Sequence, residues 1–382
     1  MTKRRVCVLT GKRGGFGALT PTMNAIAGHR SLELAVLVTD QHLYKRFGRT
    51  VSEVEENFPI AGAIDMEQRG DSNRDRARAI GVCLTKAADV LGKIAPDILV
   101  VIGDRGEVVA ATIAAHNLRI PIAHIQGGDL SGSLDDANRH AVTKFSHIHL
   151  VSTKASARRV LKMGEEPWRV HVVGDTHVDA LLPSELTPEE TLRTRYELST
   201  DEPFLLVLQH SDATCPEDSG RQMAATMAAV RSLGLRALVV YPCSDQGFEG
   251  ILAEIETARG TPGLTIHKNI PAPDFAGLQS IAGCLVGNSS AGLIEAPYFG
   301  LPAVNIGKRQ IGRQHCGNVV HVPYDRRRIG TAIRRALDDK VFRARLRRIR
   351  PPFGDGTSYK KITRILARTP LGEKLLNKQL NY

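Results

Sequence analysis

The chain reads as two doubly wound α/β domains of Rossmann type, on three observations. Short Val/Ile/Leu runs alternate with longer amphipathic stretches from end to end, and this pattern pauses once, near residue 182, before it restarts. The length, 382 residues, exceeds what one core holds and suits two domains. Continuous apolar strands separated by helices imply parallel sheets covered on both faces, because a strand buried on both sides has no polar alternation. Domains are therefore expected over residues 1–182 and 183–382, with the last helix packing back on the first domain and a nucleotide-sized cleft between the halves.

In the first half, strands are expected at 5–10 (RVCVLT), 32–39, 97–102 (DILVVI), 120–124, 147–151 and 169–173. Helical stretches lie at 17–29, 71–91 and 107–117. Residues 182–202 are polar and contain prolines, with a helix N-cap expected at Thr187 just before Pro188. Strands then follow at 204–208, 235–241, 264–267, 284–286 and 303–306, with helices between them. The arginine-rich stretch 338–350 reads as an exposed helix face, against the competing reading of a nucleic-acid tail.

Composition narrows the function classes. Apolar residues at 42% and charged residues at 24% describe a soluble globular protein, and Gly 35 with Pro 19 excludes a collagen-like chain. A net charge of +11 attracts anions, whether nucleotides, sugar phosphates or nucleic acid. Aromatics at 5%, without basic–aromatic interleaving, do not support a nucleic-acid partner. The six cysteines form no CxxC pair and no zinc-spaced cluster with histidine, so reduced thiols and no metal site are expected. The N-terminal apolar stretch is too short for a signal-peptide core, and no apolar run approaches the ~18 residues of a membrane helix. A cytoplasmic protein with no membrane partner is expected.

Ligands of open parallel sheets bind beyond the carboxyl ends of the strands, so the loops after the apolar runs carry the functional reading. The first, GKRGGFG at 11–17, has glycines that let backbone N–H groups approach a phosphate before a helix start, but it is neither GxGxxG nor a Walker A loop. In the second, GDRGE at 103–107, Asp104 and Arg105 emerge where the strand ends; the carboxylate serves equally as a general base or a helix cap. The third, 124–140 (HIQGGDLSGSLDDANRH), crowds Asp129, Asp135, Asp136, Arg139 and His140 at a helix start. Adjacent aspartates there cap a helix dipole or, crowded together, raise one another's proton affinity as acid–base work requires. After the second half's first strand, His210 reads as an acid–base group or a phosphate donor. The stretch 287–295 (GNSSAGLIE) offers hydroxyls at a helix start for an anion, with Glu295 for ribose hydroxyls. The basic loop 307–313 (GKRQIGR) suits a diphosphate.

These residues resemble the hydrolysing UDP-N-acetylglucosamine 2-epimerases over nearly the whole chain. The resemblance rests on GDR at 103–105, HIQGGDLSGSLDDANRHAVTKFSHIH at 124–149, QH at 209–210 and GNSSAGLIEAPYFGLPAVNIGKRQIGR at 287–313. The non-hydrolysing epimerases carry HVEAGLR-like text in place of the GG and DD elements. The resemblance implies a GT-B-like fold of two Rossmann domains, no cofactor or metal, a UDP-sugar substrate and a homo-oligomer, dimer or tetramer. It further implies loss of the carbon-2 proton and of UDP to give a 2-acetamidoglucal, then hydration to a free N-acetylmannosamine-type sugar. Carried over, Asp104, Asp129, Asp135 and Asp136 are the acid–base candidates, with His210 near the leaving phosphates. Arg13, Arg105, Arg139, Ser244, Asn288, Ser289, Ser290, Glu295, Arg309, Gln310 and Arg313 are implied to bind UDP and sugar. The chain departs from the family at Gly15 and Phe16, where an acid and a tyrosine are common, at Gln126, often Glu or His, and at Cys243, where PNSD-like text has Asn. These departures leave the sugar open, UDP-N-acetylglucosamine or a relative such as UDP-N,N'-diacetylbacillosamine. A non-hydrolysing epimerase, a GT-B glycosyltransferase and a nucleotide-sugar sensor are the competing readings.

Overall fold

The apolar runs become strands buried on both faces. The structure, a computed structural model, describes residues 3–45, 48–70, 72–131, 135–212 and 214–381, and for Arg13 and Glu185 the backbone alone. The chain divides into two compact units, one taking most of the chain up to Ala180 together with the segment from Phe353 onward, the other running Leu181–Pro352.

The sheet of the first unit holds β1 (Arg4–Thr10), β2 (Leu32–Thr39), β3 (Ile60–Ile64), β4 (Ile98–Ile102), β5 (Ile122–Ile125), β6 (Ile148–Val151) and β7 (Val170–Val172). Its order is β3-β2-β1-β4-β5-β6-β7, with every pair parallel. Strand alternation splits β1 between two cores: Val6 and Val8 meet Phe16, Leu19, Met23 and Ile26 of helix Arg13–Ala27, whereas Cys7 and Leu9 meet Cys83, Ala87 and Leu91 of helix Asn73–Ile94. Strands are added on one side of β1 up to β3 and on the other from β4, so the topological switch point lies between β1 and β4. From the C-terminal segment, helix Ser358–Arg368 seats Ile362 and Leu366 in the same core as Val6.

In the second unit, β8 (Phe204–Leu208), β9 (Arg236–Val240), β10 (Leu264–His267), β11 (Cys284–Gly287), β12 (Ala303–Ile306) and β13 (Val319–Val322) pair in the order β10-β9-β8-β11-β12-β13, again all parallel. Its switch point lies between β8 and β11. Both units are Rossmann-like.

Four local differences from expectation have physical causes. Strands β3 and β13 were not expected: both are short runs at sheet edges and half-buried. The first helix begins at Arg13, so Gly14, Gly15 and Gly17 lie inside it; the glycine that needs its space is Gly11, where an ideal Cβ would stand 2.8 Å from Glu107 Oε1. The second long helix begins at Asn73, Asp71 lying outside the described residues, and runs on to Ile94, ending on Ala95 in the left-handed region. Thr187 does not cap its helix, which starts at Glu189 after Pro188; its hydroxyl donates instead to Asp274 at 2.6 Å. In the arginine-rich stretch, helix Lys340–Leu346 buries Phe342 and Leu346 and leaves Arg347 and Arg348 exposed. Among the described residues no helix is long and apolar enough to cross a membrane.

Candidate active site

In the first unit the loops leaving β4 and β5 carry the acids. Asp104 and Arg105 follow β4 and precede helix Gly106–Asn117; Gln126 and Asp129 follow β5; Asp135, Asp136 and Arg139 lie in helix Asp135–Phe145. The three loop residues 132–134 between these stretches lie outside the described residues.

Arg139 organises this group. It is 2% exposed, donates through Nη1 to the Gln126 carbonyl at 2.9 Å and pairs through Nη2 with Asp104. Burial opposes its charge, but the fields of Asp104, Asp129, Asp135 and Asp136 outweigh it and hold the guanidinium above its ordinary pKa. Of the four expected aspartates, Asp104 pairs with this cation and Asp129, Asp135 and Asp136 act on it through their fields. Asp129 accepts from Ser156 Oγ at 2.5 Å and Ser152 Oγ at 3.4 Å, while the Asp104 side chain keeps 15% of its surface open. Behind them His124 donates from Nε2 to the Gly103 carbonyl at 2.8 Å, leaving Nδ1 to accept from Thr143 at 3.2 Å. Burial pushes this ring down to about 3, so it is a neutral structural bridge between β4 and β5.

Arg105 has a different role from the expected anion contact. Its guanidinium is committed to Asp40 Oδ2 at 2.7 Å and Glu107 Oε1 at 2.8 Å, and Arg76 closes the ring on Glu107 Oε2 at 2.7 Å and Asp40 Oδ1 at 3.6 Å. Two carboxylates and two guanidiniums neutralise one another beneath the switch point. Burial alone would raise the Glu107 carboxyl, and Arg105 with Arg76 outweigh it and hold it low; burial keeps Asp40 raised.

Sequence reasoning missed the loop after β7. Asp175, fully buried, accepts from Gln126 Nε2 at 3.0 Å on both oxygens, from Ser152 Oγ at 3.1 Å and from His177, whose Nδ1 lies 2.9 Å away and whose backbone N–H lies 3.0 Å away. Gln126 holds this position with φ +67, a conformation rare outside glycine. The text GDTHVD directly follows an expected apolar strand, so the loop rule that flagged the other sites applies here as well.

In the second unit the loops after β8, β9, β11 and β12 converge on Asn288. Its fully buried amide accepts from the His210 backbone N–H at 2.7 Å and donates to the His210 carbonyl at 2.9 Å, and its own carbonyl accepts from Gln310 Nε2 at 3.0 Å and Arg309 at 3.3 Å. Asn288 and the buried Gln310 therefore brace the loops. The backbone N–H of Cys243 donates to His210 Nδ1 at 3.1 Å, so the neutral ring carries its proton on Nε2 and is a donor there. Arg309 also reaches Asp245 at 3.2 Å, and Arg313 lies 3.4 Å from Gln310 Oε1. Ser289 Oγ accepts from Ala291 N at 3.3 Å, Ser290 precedes the turn Ala291–Ile294, and Ser244 is buried. That turn is four residues long, so anion binding there would rest on hydroxyls and arginines and not on a helix dipole. Glu295 accepts from Gln279 at 2.7 Å. The side chain of Arg13 lies outside the described residues.

Comparison with known proteins bears on this arrangement. The family model described as UDP-N-acetylglucosamine 2-epimerase matches residues 24–367. The chain is 31% identical to the UDP-N,N'-diacetylbacillosamine 2-epimerase (hydrolyzing) of Legionella pneumophila, over 98% of both chains. It is 32% identical to a UDP-N-acetylglucosamine 2-epimerase of Neisseria meningitidis serogroup B, over 89% of both. Among solved structures, a UDP-GlcNAc 2-epimerase from Neisseria meningitidis bound to UDP-GlcNAc superposes with a TM-score of 0.80 at 18% identity, covering 96% of this chain and 100% of that one. One from Methanocaldococcus jannaschii in complex with UDP-GlcNAc and UDP gives 0.79 at 20%, with 96% and 100% covered.

Proposed function

The chain belongs to the UDP-N-acetylglucosamine 2-epimerase family, and on that premise we propose that it is a hydrolysing 2-epimerase of a UDP-2-acetamido sugar. The observation that carries this reading is the buried Arg139, paired with Asp104 and lying in the field of Asp129, Asp135 and Asp136 at the carboxyl edge of the first sheet. The reaction moves protons on both faces of carbon 2, and carboxylates crowded in one field can hold a proton that one of them donates.

In the first stage the carbon-2–hydrogen bond breaks, its electrons form a carbon-1–carbon-2 double bond, and the carbon-1–oxygen pair leaves with UDP. In the second stage water gives its hydroxyl to carbon 1 and carbon 2 takes a proton from the opposite face, yielding a free manno-configured sugar. In the second unit, the Nε2–H of His210 and the guanidiniums of Arg309 and Arg313 would neutralise charge developing on the departing diphosphate. Ser244, Ser289, Ser290 and Glu295 would hold the diphosphate and ribose. Arg105 acts from beneath, through the ion network.

UDP-N-acetylglucosamine is the first substrate of this reading. The full-length similarity to the Legionella enzyme supports a second, UDP-N,N'-diacetylbacillosamine. Incubation with each, followed by anion-exchange separation, tests the proposal. Equal amounts of UDP and neutral sugar are expected; an epimerised sugar still joined to UDP would overturn hydrolysis.

A further inference from the structure

We infer that His177, held by Asp175, is the base that removes the carbon-2 proton, a role resting on the epimerase reading above. The position at the end of β5, between Asp104 and Asp129 in this cluster, is filled by Gln126, an amide that transfers no proton at neutral pH. Its Nε2 is turned onto Asp175 at 3.0 Å, and Asp175 is turned onto His177 Nδ1 at 2.9 Å. Through Gln126 the pair is tied to the acid cluster, because the Gln126 carbonyl and Asp104 share the guanidinium of Arg139.

The chemistry follows from that chain of bonds. Asp175, fully buried, lies 2.9 Å from Nδ1 and the Gln126 amide nitrogen 3.0 Å from the same atom; with the ring proton on Nδ1 donated to the carboxylate, Nε2 carries the lone pair. The same carboxylate stabilises the imidazolium formed when Nε2 takes a proton. Asp175 is enclosed by donors, the Gln126 amide, the Ser152 hydroxyl and the His177 backbone N–H, which hold it oriented. The His177 ring retains 19% of its side-chain surface, enough to meet a substrate hydrogen. The neighbouring Asp179 is held apart from this chemistry, its carboxylate accepting from the backbone N–H groups of Ser358 and Tyr359 at 2.8 Å each.

In the step assigned, Nε2 forms a bond to the carbon-2 proton while the carbon–hydrogen pair becomes the double bond and UDP departs with the carbon-1–oxygen pair. The imidazolium returns its proton to water before the next turnover. Hydration then draws on the carboxylates, since its proton reaches carbon 2 from the other face. Asp175 is a positioning residue, acting through the ring.

The test compares His177→Ala, His177→Gln and Asp175→Asn with the wild-type chain on two substrates, UDP-N-acetylglucosamine and free 2-acetamidoglucal. His177→Ala is expected to release UDP at least ~100-fold more slowly, to hydrate 2-acetamidoglucal at the wild-type rate, and to regain UDP release when imidazole is added. Retained hydration also shows that the variant folds, and His177→Gln carries the same expectation if the alanine variant does not. Asp175→Asn should slow UDP release with hydration unaffected. UDP release near the wild-type rate in both His177 variants, or accumulation of 2-acetamidoglucal beside UDP, would overturn the assignment and leave the epimerase reading standing. A wild-type chain that neither releases UDP nor hydrates the glucal, with the diacetylated sugar tried as well, would overturn both.

Discussion

Arg139 and Asp104 form a buried ion pair in which the guanidinium's other arm donates to the Gln126 carbonyl at 2.9 Å, so one side chain ties the loop after β4 to the loop after β5. The fields of Asp129, Asp135 and Asp136 also act on this guanidinium. Replacing it by Met at similar volume leaves Asp104 without its cation and lets both loops shift. Arg139→Met is expected to lower kcat by ~100-fold or more, since small displacements of reacting groups cost that much. UDP binding, measured by calorimetry, should fall far less.

The Asp40–Arg105–Glu107–Arg76 ring makes a stability prediction. Arg105→Met leaves two buried carboxylates to Arg76 alone, and breaking a buried pair costs about 3–5 kcal/mol. Urea unfolding should show that loss in the first unit, and Gly11→Ala should weaken the same ring because its Cβ would press on Glu107 Oε1 at 2.8 Å.

Acid should unfold the first unit early. Burial pushes His124 and His147 down to about 3 and His149 to about 4. Above pH ~6.5 these rings are neutral both folded and unfolded. Below it the unfolded chain binds protons that the folded chain refuses, so each ring subtracts stability with a slope of about 1.4 kcal/mol per pH unit until its folded pKa is reached. Denaturant midpoints measured between pH 7 and pH 4 should fall steeply, and His149→Gln should flatten the curve.

Gly287 should tolerate no side chain. Its φ is +136, and an ideal Cβ would stand 2.0 Å from the Leu208 carbonyl oxygen. Gly287→Ala is expected to push the strand end of β11 from β8, destabilising by at least about 1–3 kcal/mol of backbone strain. It should also weaken UDP binding more than tenfold, because Asn288 next to it braces the loops after β8 and β12.

Much of this was legible in the sequence where local chemistry is dense. Strands buried on both faces announced both sheets, and the rule that ligands sit beyond strand carboxyl ends picked out Asp104, Asp129, Asp135, Asp136 and Arg139. What stayed hidden depends on distance along the chain. Asp40, Arg76 and Glu107 look like ordinary helix-end charges until the fold brings them together across the switch point. Gln126 reads as a lost acid, and its bond to Asp175 joins residues 49 positions apart. Edge strands β3 and β13 are only half-buried, and their runs are five and four residues long, short for a periodic signal.

The most direct test of the central claim follows the reaction by proton NMR in deuterated water, with UDP-N-acetylglucosamine and UDP-N,N'-diacetylbacillosamine in parallel. A hydrolysing 2-epimerase is predicted to give UDP and, in equal amount, a free manno-configured sugar bearing deuterium at carbon 2. A manno-configured sugar still attached to UDP, or no change in either substrate, would contradict it.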